Sequence, residues 1–481
     1  MPHITFPGLA PALILLAGCT LLASCTMVGP NYERPAAELP MQFSESASSV
    51  NEANVPISNT WWELYNDLVL NDLVAKALRN NTDIKIAVAR IEEADAFLRE
   101  VGSAILPSVD LDSSARRSRA STIGPVPFPP GAKAMRDTYH IELGTSYEID
   151  FWGKLRRSEE AARAQALSTR YARDTVELSL SGLVSSNYLL LRARDGQIAL
   201  SRNTLVSREE SLALTKRRAK GGVASDLDVH QAEVLRANML AQIAELTEQR
   251  ALIEHQLAVL SGDLNLKLEQ GDIKQIPLPP VPPAGLPSTL LEARPDIRQA
   301  EEDMIAANAK IGVAKAALFP TISLTASYGG ESGALGDILK SAARIWGTGV
   351  NLYLPIFDNG KLSSVVDQAS AQQKQALAAY EGSIQTAFRE VNDALVKVRQ
   401  GGEKEAALQT SQEAAGKSLQ IAENRYKAGY SAYLDVLDAQ RTYNETALLY
   451  IQSRQARLAA TVELFKALGG GWTDAQLKPA S

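Results

Sequence analysis

Residue types that build most catalytic and disulfide-bonded sites are scarce in this sequence. Its 481 residues include two cysteines and four histidines. Both cysteines, Cys19 and Cys25, lie in an N-terminal apolar stretch, so the rest of the chain can form no disulfide and no cysteine-ligated zinc site. The histidines are far apart in the sequence, and no catalytic or cofactor-binding motif is visible. We therefore expect no enzyme activity, no metal site and no cofactor.

Aromatic residues and net charge are also low, and proline is unevenly distributed. Aromatics make up 6% of the chain and the formal net charge is -6, which gives no sign of a nucleic-acid-binding surface. No proline occurs in residues 131–276 or 356–478. Because proline breaks helix interiors, these two tracts permit very long helices.

The N-terminus has the features of an exported lipoprotein. Residues 6–24 are apolar, so residues 1–24 are predicted to be a lipoprotein signal peptide, although no Lys or Arg precedes the apolar run. Leu22-Ala23-Ser24-Cys25 resembles a bacterial lipobox, and Leu16-Ala17-Gly18-Cys19 fits the same pattern, so either cysteine is a candidate for acylation. No later stretch is as long and apolar as a transmembrane helix, so any membrane span would consist of strands.

The remaining sequence is one unit written twice. The matching pairs include Asp83-Ile84 with Asp296-Ile297, Pro107 with Pro320, Gly153-Lys154-Leu155 with Gly360-Lys361-Leu362, and Leu227-Asp228-Val229 with Leu434-Asp435-Val436. The pairs keep a fixed register over long gapless stretches, which chance similarity between alanine-rich helices does not produce. We predict a lipid-anchored extended segment at 25–70, a first repeat at 71–262, a Pro-rich linker at 263–285, a second repeat at 286–470 and a tail at 471–481.

Each repeat is predicted to contain a helix, two strands, a long helix and a return helix. The first repeat has helix 71–104, strands 109–117 and 139–151, helix 153–220 and helix 226–260, with an exposed Pro- and Gly-rich loop at 117–137. The second repeat has strands near 322–328 and 350–356, a Gly-rich loop from Gly329, and helices 361–427 and 434–468. The best strand alternates Tyr139, Ile141 and Leu143 with His140 and Glu142.

A seven-residue spacing runs through the first long helix. The residues at this spacing are Val184, Leu191, Ile198, Leu205, Leu212 and Ala219. Such a repeat indicates a helix that packs along a supercoiled neighbour.

Four strands of about ten residues suit a tilted bilayer span, but they cannot close a barrel. Because lipid excludes open sheet edges, closure requires several chains, and three chains would supply twelve strands. The predicted fold class is an α+β membrane protein with a trimeric 12-stranded β-barrel, four strands per chain, continued by a long periplasmic α-helical coiled-coil barrel. The alternative is a soluble coiled-coil protein that carries β-hairpins.

Several motifs resemble the TolC/OprM-like outer-membrane efflux proteins, in particular their lipoprotein branch. Cys25-Thr26-Met27-Val28-Gly29-Pro30-Asn31-Tyr32 is similar to the mature N-terminus of that branch, which favours Cys25 over Cys19 as the palmitoylated residue. Trp61-Trp62 resembles the entry into its first helix. Gly285-Leu286-Pro287-Ser288 and Arg294-Pro295-Asp296-Ile297 resemble its mid-chain signature. The resemblance covers essentially the whole chain from Cys25.

The resemblance implies a homotrimer in the outer membrane of a Gram-negative bacterium, anchored by lipid and extending into the periplasm. It implies two protein partners, a periplasmic adaptor (membrane-fusion) protein and an inner-membrane efflux pump of the resistance-nodulation-division type. The expected function is passive conduction of drugs, solvents or metal ions to the exterior. The rivals are the outlet of a type I protein-secretion system and a periplasmic scaffold lipoprotein without a pore.

The resemblance places the working parts at two helical turns, which we call the first tip (residues 218–223) and the second tip (residues 425–430). The predicted adaptor-docking residues are Arg218, Lys220, Gly222, Arg425, Lys427 and Gly429. The predicted gate residues are Asp228, Tyr426, Asp435 and Asp438, for which helix capping is the alternative role. Ser431 stands where some relatives have a bonded arginine, so the lock uses Arg425 or is looser. We expect the second hairpin to do most of the gating.

The strands carry a predicted acidic lumen. Its residues are Asp110, Asp112, Glu142, Glu148 and Asp150, which are expected to share the polar face and favour cations. The alternative is a polar face that only contacts water and has no preference for cations.

Overall fold

The computed structural model describes residues 27–36, 39–43, 57–123, 131, 133–282 and 287–473. They form two compact units. The sheet unit takes its described residues from Met1–Pro35, Ile91–Ser168 and Ala300–Ala379, and the helix unit from Ala36–Arg90, Thr169–Gln299 and Tyr380–Ser481. The predicted signal peptide, Cys19, Cys25, the prolines of the 117–137 loop, Gly285, Leu286 and the end of the predicted tail lie outside the described residues.

Long helices make up most of the chain. They are α1 Leu68–Asn80, α2 Thr82–Ser103, α3 Lys154–Lys220, α4 Asp226–Ser261, α5 Pro295–Ala316, α6 Lys361–Lys427 and α7 Tyr433–Ala467. Both α3 and α6 have 67 residues and are therefore about 100 Å long. The bounds predicted for α6 are confirmed, and those for α3, α4 and α7 are confirmed to within one residue. No described helix has an apolar stretch long enough to cross a membrane.

The prediction of one helix over residues 71–104 is wrong, because the structure has two helices here, α1 and α2, separated at Asn81. This residue is 4% exposed, and its backbone is extended, with ψ at 139°. Its side-chain oxygen accepts a hydrogen bond from the backbone N–H of Asp83 (2.8 Å), and its amide donates to the carbonyl of Leu260 (3.0 Å). Asn81 therefore caps α2 as an asparagine at a helix start does.

The strands are β1 Ser108–Arg119, β2 Met135–Ile149, β3 Thr321–Ser332 and β4 Arg344–Tyr353. They form one antiparallel sheet in the order β1-β2-β3-β4, so both repeats contribute a hairpin to a common sheet. The register places Asp112 opposite Glu142 and Leu324 opposite Val350. One face is therefore largely apolar and the other polar. The apolar face includes Leu111, Ile141, Leu143, Tyr147, Leu324, Tyr328, Trp346, Val350 and Leu352.

Two details of the second hairpin differ from the prediction. The strand β3 continues through Gly329, which was predicted to begin a loop, and a Cβ atom there would lie 2.1 Å from the carbonyl oxygen of Ile141. Glycine is needed for this close approach of the strands. At the other strand, β4 ends at Tyr353, so Leu354 and Ile356 lie beyond it. Pro355 explains this end, because proline has no N–H to donate to the sheet.

Residues 28–31 pack within the sheet unit against the start of α3 and against α5. Val28 donates its backbone N–H to the carbonyl of Trp152 (3.0 Å), and Arg157 donates to the side chain of Asn31 (2.7 Å). Gly29 has φ at +105°, and a Cβ atom there would lie 2.6 Å from the Cα of Gly312. Two glycines at one contact allow the chain to lie directly on α5.

The core of the helix unit is aromatic and aliphatic. Trp61 is 1% exposed and stacks on Phe465 with ring centroids 5.4 Å apart. The heptad residues Val184, Leu191 and Ile198 are buried, as the seven-residue spacing predicts.

A buried ionic cluster in the helix unit holds the segment that links the two repeats. Asp195 accepts hydrogen bonds from Arg192 (3.0 Å), Arg250 (2.6 Å) and the backbone N–H of Gly271 (3.1 Å). The side chain of Asp195 is 1% exposed. In the same cluster, Glu254 accepts from the backbone N–H of Leu268 at 2.8 Å. The linker is thus fixed by charged side chains of α3 and α4.

Candidate functional site

Both tips lie in the helix unit and end a long helix in the same way. In the first tip, Gly222 has φ at +74°, and the backbone N–H of Val223 donates to the carbonyl of Arg218 (3.0 Å). In the second tip, Gly429 has φ at +83°, and Tyr430 donates in the same way to Arg425 (2.8 Å). These are glycine-terminated helix ends of the Schellman type. Gly222 and Gly429 therefore act as C-terminal helix caps.

The return helices begin differently in the two repeats. At the start of α4, Ser225 and Asp228 form a reciprocal capping box, in which the backbone N–H of Ser225 donates to the Asp228 carboxylate (3.1 Å). At the start of α7 the equivalent cap residue is Ala432, which has no side-chain oxygen. Asp435 occupies the position of Asp228 but is exposed without such a box. Helix capping therefore accounts for Asp228 and does not account for Asp435.

The remaining predicted gate aspartate, Asp438, lies one turn further along α7. It forms an ion pair with Arg441 at 2.7 Å, and both side chains are largely exposed. An exposed pair of this kind contributes at most about 1 kcal/mol. Asp438 is thus an accessible charge rather than part of the packed core.

A tyrosine pair forms the packed centre of the tips. Tyr426 and Tyr433 are 6% and 5% exposed, and their ring centroids lie 5.2 Å apart. Ala232 of α4 and Val436 of α7 belong to the same buried cluster. The cluster joins residues from both repeats, so the two hairpins are packed together at this end of the helices.

Arg218 connects the first tip to the second. Its guanidinium lies 4.3 Å from the centroid of the Tyr426 ring, and it donates a hydrogen bond to the backbone carbonyl of Tyr426 at 3.0 Å. That carbonyl belongs to the last turn of α6, where the partial negative charge of the helix favours a cation. Arg425, the candidate replacement for the missing arginine, is exposed. The arginine on Tyr426, the predicted gate tyrosine, therefore comes from the other repeat, and no spacing in the sequence indicates this.

Burial shifts the pKa of two side chains at the tyrosine pair towards their neutral forms. Burial raises the pKa of Tyr433 to about 12, although a hydrogen bond with Thr215 and the nearby Arg208 work in the opposite direction. Burial also lowers the pKa of the Arg208 guanidinium, which is 6% exposed and donates to the carbonyl of Leu235 at 2.6 Å. At neutral pH the cluster thus contains a neutral Tyr433.

The other predicted tip residues are on the surface. Lys220 follows Arg218 in the last turn of α3, and Lys427 ends α6; both are exposed. Cations suit the last turn of a helix, and they leave a positive rim around the tyrosine pair.

The strands bring four of the five predicted lumen carboxylates to one face. Asp112 lies opposite Glu142, and Asp110 lies opposite Gly144 on the same face. Glu148 is on this face too and forms an ion pair with Lys154 at 3.0 Å. Among the described residues, no group of three His, Cys, Asp or Glu side chains is arranged to hold a metal ion.

The prediction that Asp150 shares the polar face of the strands is wrong. It lies beyond the end of β2, and its carboxylate accepts hydrogen bonds from the backbone N–H groups of Leu155 and Arg156, both at 3.0 Å. It also pairs with the Arg156 side chain (3.1 Å). Asp150 therefore caps the start of α3, where a carboxylate satisfies unpaired N–H groups. In the sequence, the alternation of apolar and polar residues continues past Ile149, although the strand ends there.

The sequence matches a known family over both repeats. Residues 73–263 and 286–470 match the model of the outer membrane efflux protein family. The chain belongs to the outer membrane efflux proteins.

Named relatives agree with this membership. This efflux protein is 35% identical over 476 residues to the toluene efflux pump outer membrane protein TtgI of Pseudomonas putida, a match that covers 97% of this chain and 98% of the relative. It is also 35% identical over 479 residues to the outer membrane protein OprJ of Pseudomonas aeruginosa, covering 97% and 96%.

Solved structures share the fold. The outer-membrane channel OprN superposes with a TM-score of 0.85 at 29% identity, covering 92% of this chain and 99% of that one. The CmeC outer membrane channel of Campylobacter jejuni gives a TM-score of 0.86 at 27% identity, covering 94% and 96%. The predicted resemblance to TolC/OprM-like channels is therefore confirmed, as is the combination of a four-stranded sheet with long helices in each chain.

Proposed function

We propose that this protein is the outer-membrane channel of a tripartite efflux system and conducts small molecules passively to the exterior. The observation that carries the proposal is the sheet, in which each strand has an apolar and a polar face and the outer strands β1 and β4 each have one neighbour. Such a sheet suits a bilayer only when its two edges are paired.

Three copies would satisfy both edges. Pairing β4 of one chain with β1 of the next repeats the four strands around an axis, and three chains give a closed barrel of twelve. The polar face would then line the lumen and the apolar face would contact lipid. A homotrimer is therefore the assembly we propose.

The lipid anchor would sit close to the barrel. Met27 contacts Gly153 at the junction of β2 and α3, since a Cβ atom on Gly153 would be 2.6 Å from the Met27 side chain. Cys25 precedes Met27 by two residues, so its acyl chains would start within about 7 Å of that contact. Cys19 lies six residues further upstream, so the acyl chains of an anchor there could start up to about 29 Å from that contact. Radiolabelled palmitate incorporated into wild type and Cys19→Ala but not into Cys25→Ala would support Cys25, and the reverse pattern would refute it.

We infer that the tips form the periplasmic entrance and the adaptor-docking surface. The support is that Arg218 and Tyr426 hold the two hairpins together, while Lys220, Lys427 and Asp438 remain exposed for a partner. Asp435 is exposed and has no cap partner at Ala432, so it is the aspartate that we propose for a charged ring in the trimer. Asp228 would contribute through the capping box.

The experiment that tests the function is deletion of the gene with measurement of cellular accumulation. Relatives are named for solvent, toluene and antibiotic efflux, so toluene tolerance and accumulation of an apolar fluorescent dye are the suitable readouts. We expect higher accumulation in the deletion strain and restoration by the wild-type gene. Unchanged accumulation together with the loss of a secreted protein would replace the proposal with a protein-secretion outlet, and no change in either would support a scaffold.

A further inference from the structure

The polar face of the sheet carries one histidine between two glutamates from different repeats. His140 of β2 has its Nε2 atom 3.3 Å from the Glu142 carboxylate. Its Nδ1 atom lies 3.6 Å from the carboxylate of Glu331, which is the cross-strand partner of His140 on β3. The His140 and Glu142 side chains are 22% and 26% exposed, so they are packed but remain accessible to water.

Other charged groups around His140 are few. On β1, Ser114 lies directly opposite, with Asp112 and Arg116 as its neighbours on the same face. Together with Glu142 and Glu331, the imidazole is thus surrounded by three carboxylates and one guanidinium. A neutral imidazole leaves this cluster with two net negative charges, and a protonated one leaves it with one.

The position of the cluster matters for conduction. His140 lies about 17 Å along β2 from Met135 and about 30 Å from Ile149, at about 3.4 Å per residue. The Met135 end adjoins the hairpin loop, and the Ile149 end adjoins α3. In the proposed channel the cluster would therefore lie in the third of the barrel nearest the exterior, and threefold symmetry would repeat it as a ring.

We propose that His140 is a specificity-determining residue that makes the ion preference of the lumen dependent on pH. This inference rests on the proposed trimeric pore. Histidine changes charge between about pH 5 and pH 8. When neutral, it leaves the carboxylates of the ring to attract cations. When it takes up a proton from the solvent, both ring nitrogens become donors and can engage Glu142 and Glu331 together, so the ring favours cations less.

The test is the reversal potential of macroscopic current through many reconstituted channels in a KCl gradient, at about pH 8 and at about pH 5.5 in both compartments. We expect the cation-to-anion permeability ratio of wild type to fall several-fold at the lower pH. His140→Gln should abolish this fall. His255→Gln is the matched control, because it removes an exposed histidine of α4, and it should keep the fall.

Two further results decide the inference. Glu331→Gln should lower the permeability ratio at about pH 8, because it removes one carboxylate of the ring. If His140→Gln retains the fall of the wild type, the carboxylates titrate instead of the histidine and the inference is wrong. If correctly folded wild-type trimers conduct no current at all, the proposed pore fails rather than the role of His140.

Discussion

The contact between Arg218 and Tyr426 predicts how firmly the tips are closed. A cation–π contact contributes about 0.5–2 kcal/mol, and a hydrogen bond from a charged donor about 1.5–3 kcal/mol. Arg218 is partly exposed, so the low end of both ranges applies, and the sum is about 2 kcal/mol. If opening separates the tips, Arg218→Ala should raise the ratio of open to closed channels about 30-fold, since about 1.4 kcal/mol is a factor of ten.

The assay is the open probability of single channels in planar bilayers. Arg217→Ala is the matched control, because Arg217 is an exposed neighbour in the same helical turn, and it should leave the open probability unchanged. Arg218→Lys keeps the charge but loses the planar stacking, so we expect an intermediate value. Tyr426→Phe should behave as wild type, because the ring makes the contact and its buried hydroxyl has no hydrogen-bond partner among the described residues.

Two outcomes would contradict a restraining role of the Arg218–Tyr426 contact. Equal open probabilities in Arg218→Ala and wild type would show that the contact does not restrain the tips. A full effect in Tyr426→Phe would show that the hydroxyl, and not the ring, holds them. A double-mutant cycle with Tyr426→Ala would then measure the remaining coupling between the two residues.

Three other predictions concern pH and stability. Burial raises the pKa of Tyr433 to about 12 from 10.0. Its neutral form therefore stabilises the tips fully below about pH 10, and this contribution is lost as the pH rises towards 12. The open probability of the channel should rise over that pH range, and it should rise less in Tyr433→Phe. Asp195→Ala leaves two arginines without their buried partner and should lower the free energy of unfolding by about 3–5 kcal/mol. The loss should be seen as a lower unfolding temperature and as protease cleavage in residues 263–282. The control Glu209→Ala breaks an exposed ion pair and should lower the free energy of unfolding by at most about 1 kcal/mol. Gly312→Ala would place a Cβ atom 2.9 Å from the Val28 carbonyl and should expose residues 27–35 to protease. Gly382→Ala should not, because its Cβ atom would meet no described atom within 4 Å apart from the backbone of its own helix.

Each of these predictions has a contradicting outcome. An identical alkaline response in Tyr433→Phe would assign the response to another group. Equal stability losses in the Asp195 and Glu209 variants would mean that the linker is not held by the buried cluster. An unchanged digestion pattern in Gly312→Ala would mean that the N-terminal segment does not depend on the close contact with α5.

Regular elements were predictable where local chemistry marks both of their ends. Helix α6 starts after Asn359-Gly360 and stops before Gly429, and no proline interrupts it, so its bounds follow from the sequence alone. The alternation in β2 likewise revealed its polar face. At Asn81 the sequence also carried a capping residue, but no proline interrupts residues 71–104, and one helix was therefore predicted. Local signals of this kind are ambiguous when a tertiary contact, here the carbonyl of Leu260, decides between them.

Contacts between repeats were not predictable, because no spacing rule connects residues so distant in the sequence. Arg218 lies 208 positions from Tyr426 and reaches it only because the two hairpins pack together. The same holds for His140 and Glu331, which meet through the pairing of β2 with β3. The resemblance predicted a gate role for Tyr426, and the structure was needed to identify Arg218 as the arginine on its ring.

The central claim is that three copies of this chain form a conduit that the tips close. The most direct measurement is single-channel recording from purified wild-type and Arg218→Ala trimers in planar bilayers. We expect discrete conductance steps, with brief openings in wild type and prolonged openings in Arg218→Ala. Folded trimers of both proteins that insert into the bilayer and pass no current would contradict it.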